Sequence, residues 1–253
     1  MKILFTICGR AGSKGIKNKN LREFCGKKLA WYSISAIDLY VKEKNLSSDE
    51  YDIVANSDSQ ELLDLLGNNP MIPVEQIERR PELGGDNVGK KDVILDCLVQ
   101  MEERNKCKYD VVVDLDITSP LRTKQDVINL IDRHIVSNAI ITYSVTDARR
   151  NPYFNQVTYD GKSGARKVIQ SNFTARQQAP EIYDMNASLY AYNPDYLKSG
   201  GNFTDGYNEI IKMYDTAVLD LDHENDFELM EVIAEYLYKN KPEFAQIRDN
   251  IPG

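Results

Sequence analysis

The chain of 253 residues has no apolar run approaching the roughly 18 residues that a membrane-spanning helix requires. Its opening, MKILFTICGR, has too short an apolar stretch for an export leader and reads instead as a first strand. Histidine is scarce: His134 and His223 are the only two. That is too few for a histidine-rich zinc site, and it sharply limits Ser–His or Cys–His catalysis. The four cysteines, Cys8, Cys25, Cys97 and Cys107, include no CxxC pair. Without an export signal they read as reduced, structural thiols of a cytoplasmic protein. Neither the P-loop pattern nor GxGxxG is present, which argues against a P-loop NTPase and against a dehydrogenase. Positive charge is in deficit, with 31 Lys and Arg against 39 Asp and Glu and a net charge of -8. An acidic chain is a poor candidate for nucleic-acid binding, although a local basic patch can still hold a phosphorylated small molecule.

What is present alternates between two hydrophobic periods. Residues 2–8, 51–55 and 110–115 read as buried strands, and 138–145 as another. Residues 29–41, 59–66, 88–101 and 126–136 carry apolar positions at helical spacing. Strands separated by helices imply βαβ units and a mainly parallel sheet, an α/β class. After about residue 146 the rhythm changes. Residues 147–179 are polar and carry Asp160-Gly161, a hairpin signal, and read as an inserted arm or β-ribbon. A strand over 186–192 and a helix over 224–238 follow. Nothing forces a division into two domains, so 1–253 reads as one.

Open α/β sheets bind ligands beyond the carboxyl ends of their strands. Three unusual segments fall in such loops. The first, GRAGSKGIKNKN (Gly9 to Asn20), combines Gly9, Gly12 and Gly15 with Arg10, Lys14, Lys17 and Lys19. Glycines let backbone N–H groups approach an anion, and clustered cations suit a polyphosphate. A solvated basic loop has the same composition. The second, DLDITSPLR, puts Asp116 at the end of a buried strand facing the cleft, with Arg122 near the next helix. Ordinary turn chemistry also accounts for it. The third, VLDLDHENDF, places Asp220 and Asp222 on one face of a strand end. Two like charges there invite a cation, and hard oxygen ligands at low count suit Mg²⁺. Helix capping is the competing reading, and it is preferred for Asp226.

Together these segments resemble the CMP-sialic acid synthetases, or acylneuraminate cytidylyltransferases. That family opens with ARGGSKG followed by KN, and here the chain reads GRAGSKG with Lys19-Asn20. A VSTDS-like strand end is ANSDS here (residues 55–59), and an RPxxLAxD-like stretch is RRPELGGD (79–86). QPTSPLR is DITSPLR (116–122), NGAIY is NASLY (186–190), and DIDTxxDF is DLDHENDF. The segments DLDxxxPLR, ARRNPYFN (148–155), NFTARQQAP (172–180) and YDMNAS (183–188) resemble more closely the subgroup that activates legionaminic acid.

The resemblance implies a Rossmann-like sheet of the nucleotide-diphospho-sugar transferase type and a homodimer whose arm, here 147–179, helps complete the neighbour's sugar site. It implies CTP and a nine-carbon sugar acid as substrates, with Mg²⁺ on Asp220 and Asp222. Arg10, Ser13, Lys19 and Asn20 are expected on the triphosphate with the loop residues Gly12 and Lys14, and Arg80, Asp86 and Asp116 at the nucleotide. Arg122, Arg176, Gln177 and Asn186 are assigned to the sugar, where a guanidinium suits the carboxylate. Arg10, Lys19 and Asp222 are the expected catalytic groups. The anomeric hydroxyl would attack the α-phosphorus in line, its proton passing to a hydroxide on the metal or to Asp222, and both remain open. Two departures bear on specificity: Asp116 and Ile117 stand where the sialic family has Gln-Pro, and NVGKK (87–91) departs after Asp86, its lysines being possible phosphate contacts. The alternatives are a sugar-1-phosphate nucleotidyltransferase using another nucleotide and a non-catalytic nucleotide-binding module.

Overall fold

The computed structural model describes residues 1–10, 12, 16–85, 88–216, 221 and 223–252. The chain begins with β1 (Ile3–Cys8), whose six residues are all buried, as expected of an apolar strand covered on both faces. A short hairpin, β2 (Glu23–Phe24) and β3 (Lys27–Lys28), leads into α1 (Trp31–Lys44). The helix runs beyond the expected 29–41 and stops at Asn45, which adopts the left-handed φ of 51°. Then come β4 (Tyr51–Ser57), α2 (Gln60–Gly67) and β5 (Glu75–Glu78). Ser59 caps α2 by accepting a hydrogen bond from Leu62 N at 3.2 Å.

The second half adds α3 (Lys90–Asn105), β6 (Val111–Leu115), α4 (Lys124–Ser137) and β7 (Ile141–Asp147). Thr123 and Asp126 form a reciprocal capping box at the start of α4. A ribbon of β8 (Val157–Tyr159) and β9 (Ala165–Lys167) follows, then β10 (Tyr183–Tyr192), α5 (Pro194–Ser199), β11 (Asn208–Lys212), α6 (Glu224–Asn240) and α7 (Pro242–Asp249). The ribbon turns where Asp160-Gly161 predicts, through a loop of residues 160–164. Asp160 Oδ1 accepts from the N–H groups of Lys162 and Ser163 there. At α6, Asp226 accepts from His223 N at 2.7 Å, which is the capping role expected of it.

Seven strands form one sheet in the order β11-β7-β10-β6-β1-β4-β5. Of these, β10 alone runs antiparallel to its neighbours, so the sheet is mainly parallel as expected. Alternation along the strands divides the core. Ile3, Phe5, Ile7, Val111, Val113 and Leu115 join one apolar cluster with α1, α4, α6 and α7. Leu4, Cys8 and Val112 join another beneath α3 and α5. His134 belongs to this interior: burial pushes it down to about 4, and its Nδ1 lies 2.9 Å from Thr142 Oγ1, which marks it as a neutral structural side chain. Burial, with Glu231 nearby, raises the Cys25 thiol to about 12, which suits a structural cysteine and not a nucleophile.

β10 begins at Tyr183, earlier than the expected 186, and carries an irregularity between Met185 and Tyr190. Ala187 sits inside it with φ of 52°, a left-handed conformation costly for a residue with a Cβ. Glycine meets no such cost, and the family pattern NGAIY has glycine at this place. Ala187→Gly should therefore raise stability by about 1 kcal/mol, seen as a Tm increase of roughly 2–4 °C. A lowered Tm would mean that the methyl group packs favourably enough to outweigh the backbone.

Candidate active site

The carboxyl ends of β1, β4 and β6 converge on one edge, and the groups there are held from behind by buried polar contacts. Gly9 follows β1. A Cβ at this position would lie 2.6 Å from Leu62 Cδ2 and 2.9 Å from Ile117 Cδ1, so only glycine fits without displacement. Its carbonyl accepts from Arg79 Nη2 at 2.9 Å, while Arg79 Nε donates to Asn56 Oδ1 at 2.7 Å. One buried guanidinium thus ties the exit of β1 to that of β4. Next along the loop, Asn20 Nδ2 donates to the Arg10 carbonyl at 3.2 Å. Asn20 Oδ1 is buried with no hydrogen-bond partner among the described residues.

Lys19 makes the contact that joins the two ends of the chain. Its ammonium donates to the carbonyl of Leu221 at 2.5 Å, across 202 residues of sequence. Leu221 lies between the two aspartates expected to hold metal. Arg22 reinforces the junction: Nη1 is 2.5 Å from Glu224 Oε2, and the guanidinium stacks 4.3 Å from the Phe227 ring centroid. Asp220 and Asp222 themselves, with Ser13, Lys14 and Asp86, lie outside the described residues. Among the described residues no group of three or more His, Cys, Asp or Glu could hold a metal ion.

A second centre lies at the end of β6. Asp114 is fully buried, and its Oδ1 accepts from Thr6 Oγ1 at 2.8 Å. Lys90, at the start of α3, places its ammonium 2.7 Å from Asp114 Oδ2 and 2.7 Å from Asp116 Oδ2. Burial alone would lower the Lys90 pKa, but the two carboxylates outweigh it and hold it well above the usual lysine value. Asp116 is likewise disfavoured by burial, yet Lys90 and Thr118 bring it down to about 2. Its Oδ1 accepts from Thr118 N at 2.8 Å and Oγ1 at 2.7 Å. Asp116 N donates to Ser188 O at 3.1 Å, which joins this loop to the irregular part of β10. Asn186 stands there, held by Ser144 Oγ at 2.5 Å and donating to Met213 Sδ at 3.4 Å.

The structure thus brings Arg10, Lys19 and Asn20 together in one group, and Asp116 and Asn186 in another. Other expected residues lie elsewhere. Arg122, assigned to the sugar from sequence, is 1% exposed, and its guanidinium is turned to carbonyls behind the loop. It donates to the carbonyls of Asp116 and Ser119 and to Ser33 Oγ, so it shapes the loop and does not face a sugar. Arg80 pairs with Asp96 of α3 at 3.2 Å and leaves most of its guanidinium in solvent. Of the two adjacent arginines, Arg79 does the internal bracing. Arg176 and Gln177 are exposed on a single turn of the arm, with Arg176 Nη2 donating to Ala148 O at 2.9 Å. Asp114 was assigned no role from the sequence, and Lys90 was named only as one of the NVGKK lysines that could contact phosphate. The signal for Asp114 was available, since a carboxylate inside VVVDL must find a partner once that strand is buried.

Comparison with known proteins decides what this arrangement belongs to. No protein-family model matches the chain. It is 34% identical to post-translational flagellin modification protein B of Campylobacter coli over 92% of this chain and 94% of the relative. It is 33% identical to the CMP-N,N'-diacetyllegionaminic acid synthase of Campylobacter jejuni, again over 92% and 94%. The chain belongs to the acylneuraminate cytidylyltransferase family. An N-acylneuraminate cytidylyltransferase of Streptococcus agalactiae is 25% identical over 90% of this chain, which spans 52% of that longer protein. Among solved structures, a CMP-2-keto-3-deoxy-manno-octonic acid synthetase complexed with CTP matches with a TM-score of 0.60 at 13% identity, covering 93% of this chain and 99% of that one. A 4-diphosphocytidyl-2C-methyl-D-erythritol synthase from Anaerococcus prevotii matches at 0.56 and 11% identity, covering 92% and 96%. These two neighbours establish the nucleotidyltransferase fold. As a cytidylyltransferase of this family, the chain is an enzyme of the nucleotidyltransferase class.

Arg122→Met keeps bulk but leaves the Ser119 carbonyl without a donor and the Asp116 carbonyl with Ser33 Oγ alone. It should cost about 2–4 kcal/mol in chemical denaturation. A loss below about 0.5 kcal/mol would mean that the buried guanidinium does not brace the loop.

Proposed function

We propose that this cytidylyltransferase transfers CMP from CTP to the anomeric hydroxyl of a nine-carbon sugar acid and releases pyrophosphate. N,N'-diacetyllegionaminic acid is favoured as the acceptor over N-acetylneuraminic acid. The observation that carries the reading is the Lys19–Leu221 contact, which draws the basic loop and the aspartate-bearing segment to one strand-end edge. Such a junction fits a polyphosphate on one side and a cation held by carboxylates on the other. The sugar preference rests on the likeness to the legionaminic acid synthase of Campylobacter jejuni and on Asp116 in place of the glutamine of the sialic pattern.

In this reading the N–H groups and cations of residues 9–20 bind the triphosphate and orient its α-phosphorus. Arg10 and Lys19 offset charge as it shifts toward the leaving pyrophosphate. Oriented binding of two substrates supplies much of the acceleration. Asp220 and Asp222 would hold Mg²⁺. The assignment of these two aspartates rests on DLDHENDF, which matches the family's DIDTxxDF. When bound, the ion supplies neutralisation of phosphate charge. The anomeric oxygen forms the new bond to phosphorus, so no glycosidic bond breaks and configuration at the anomeric carbon is kept.

The reading includes a homodimer built on the arm. Its support is the ribbon itself, where Val157 and Tyr159 are 64% and 73% exposed and Val168 is 51% exposed. Apolar side chains on so small a ribbon are costly in water unless covered. Four free thiols suit a reducing, cytoplasmic setting.

The test is pyrophosphate release with CTP and Mg²⁺, the two sugar acids being supplied separately, with sedimentation of the same sample. Faster turnover with the diacetyl sugar, abolished by EDTA, in a species of twice the chain mass is expected. Preference for N-acetylneuraminic acid would overturn the acceptor assignment. Release with GTP or UTP but not CTP would overturn the cytidylyl reading, and a monomer would remove the dimer from it.

A further inference from the structure

The Asp114–Lys90–Asp116 cluster has features that phosphate binding does not explain. Its formal charge is one cation against two carboxylates, a net negative group. The buried Arg122 guanidinium nearby sets a second cation against the two carboxylates. Asp114 is wholly buried and the Asp116 side chain is 22% exposed, whereas the Lys90 side chain is 33% exposed. Lys90 is therefore the most exposed member of the cluster, while its ammonium lies 2.7 Å from both carboxylates. It carries three N–H donors; one donates to Asp116 Oδ2 at 2.7 Å, and the 2.7 Å contact with Asp114 Oδ2 is an ion pair. The third suits a neutral oxygen acceptor.

The surroundings favour a sugar substituent as that acceptor. Tyr190 stands opposite Asp114 in the β10–β6 register and stacks on Tyr192, with ring centroids 5.9 Å apart. Tyr143 lies 6.4 Å from Tyr190 and 5.4 Å from Phe203, extending an aromatic face away from the cluster. Asp116 is hydrogen-bonded to the strand segment that carries Asn186. A cation beside aromatic rings and amide-bearing side chains is chemically matched to an acylamino group, whose carbonyl accepts a hydrogen bond and whose methyl packs on a ring.

The same geometry accounts for two sequence departures at once. A glutamine at position 116 would leave Lys90 with one carboxylate, and Asp116 without Lys90 would set two carboxylates side by side on β6. Asp116 is thus the residue of the two that depends on the other, because Asp114 already takes up one buried carboxylate position beside it.

We propose that Lys90, fixed between Asp114 and Asp116, is a specificity-determining residue whose third N–H reads a neutral acylamino carbonyl of the sugar acid. This rests on the functional reading above. The experiment compares Lys90→Met, Asp116→Gln and the Lys90→Met/Asp116→Gln double variant with the wild type. KM and kcat are measured separately for CTP and for the diacetyl sugar, and again for the same sugar lacking one acetyl group, with Tm recorded throughout. The wild type should lose at least tenfold in kcat/KM on removal of the acetyl group that Lys90 reads. Lys90→Met should raise the KM for the diacetyl sugar at least tenfold, leave the KM for CTP within about twofold, and no longer distinguish the two sugars. If the single variant fails to fold, a Lys90→Met/Asp114→Asn/Asp116→Gln triple variant, which leaves no buried carboxylate without its cation, carries the same expectation.

A folded Lys90 variant with unchanged sugar KM, or with CTP KM rising in step, would overturn the inference while leaving the cytidylyltransferase reading intact. Wild-type inactivity with every sugar acid would overturn both.

Discussion

A carboxylate inside a doubly covered strand has to be paired, and Asp114 imposes that condition on this molecule. Isolated in an apolar sheet, its charge would cost several kcal/mol. Thr6 on β1 and Lys90 on α3 meet the requirement, so the first strand, the third helix and the sixth strand are fixed to one another at their ligand-facing ends. Asp116, two residues on, shares the same ammonium, and Arg122 braces the loop that follows from beneath. The polar floor of the site is one connected set of buried charges, each answering another.

Next to that floor a different kind of link operates. Lys19 reaches from the first loop to Leu221, and Arg22 from the same region to Glu224 and Phe227. Both ends of the sequence are thereby brought to the same edge, so the basic loop and the acidic segment act in one place although they are remote in the chain. The buried cluster pairs Lys90 with two carboxylates, and Lys90 is its most exposed member. The loop of residues 9–20 is cationic in sequence. Such a division suits a reaction in which one substrate carries several charges and the other must be told apart by neutral substituents.

Much of the fold was legible because its strands are short apolar runs bounded by turn residues. β1, β4 and β6 stand close to their expected places, as does the ribbon turn at Asp160-Gly161. Helix ends were less legible, since Asn45 in a left-handed conformation decides where α1 stops and the apolar pattern does not report it. β5, β11, α5 and α7 were missed: short polar segments such as EQIE and NEIIK become strands only because a neighbouring strand offers its hydrogen bonds. At the site, the order of motifs identified the loops but not the direction of each side chain. Arg122 looked like a ligand because it sits in a distinctive motif, yet it points inward and satisfies carbonyls. Arg79 and Arg80 are adjacent in sequence, and only tertiary packing decides that the first is buried and the second solvated. Lys90 acquires its meaning from two aspartates more than twenty residues away.

The most direct test of the central claim, that the loop of residues 9–20 and the segment around Leu221 form one nucleotide site, is a crystal structure with Mg²⁺ and a non-hydrolysable CTP analogue. The account predicts the triphosphate along residues 9–20, with Arg10 and Lys19 against it and the ion between it and the aspartates beside Leu221. A triphosphate bound away from this edge, for example in the groove between α4 and β11 lined by Arg133 and Lys212, would contradict it.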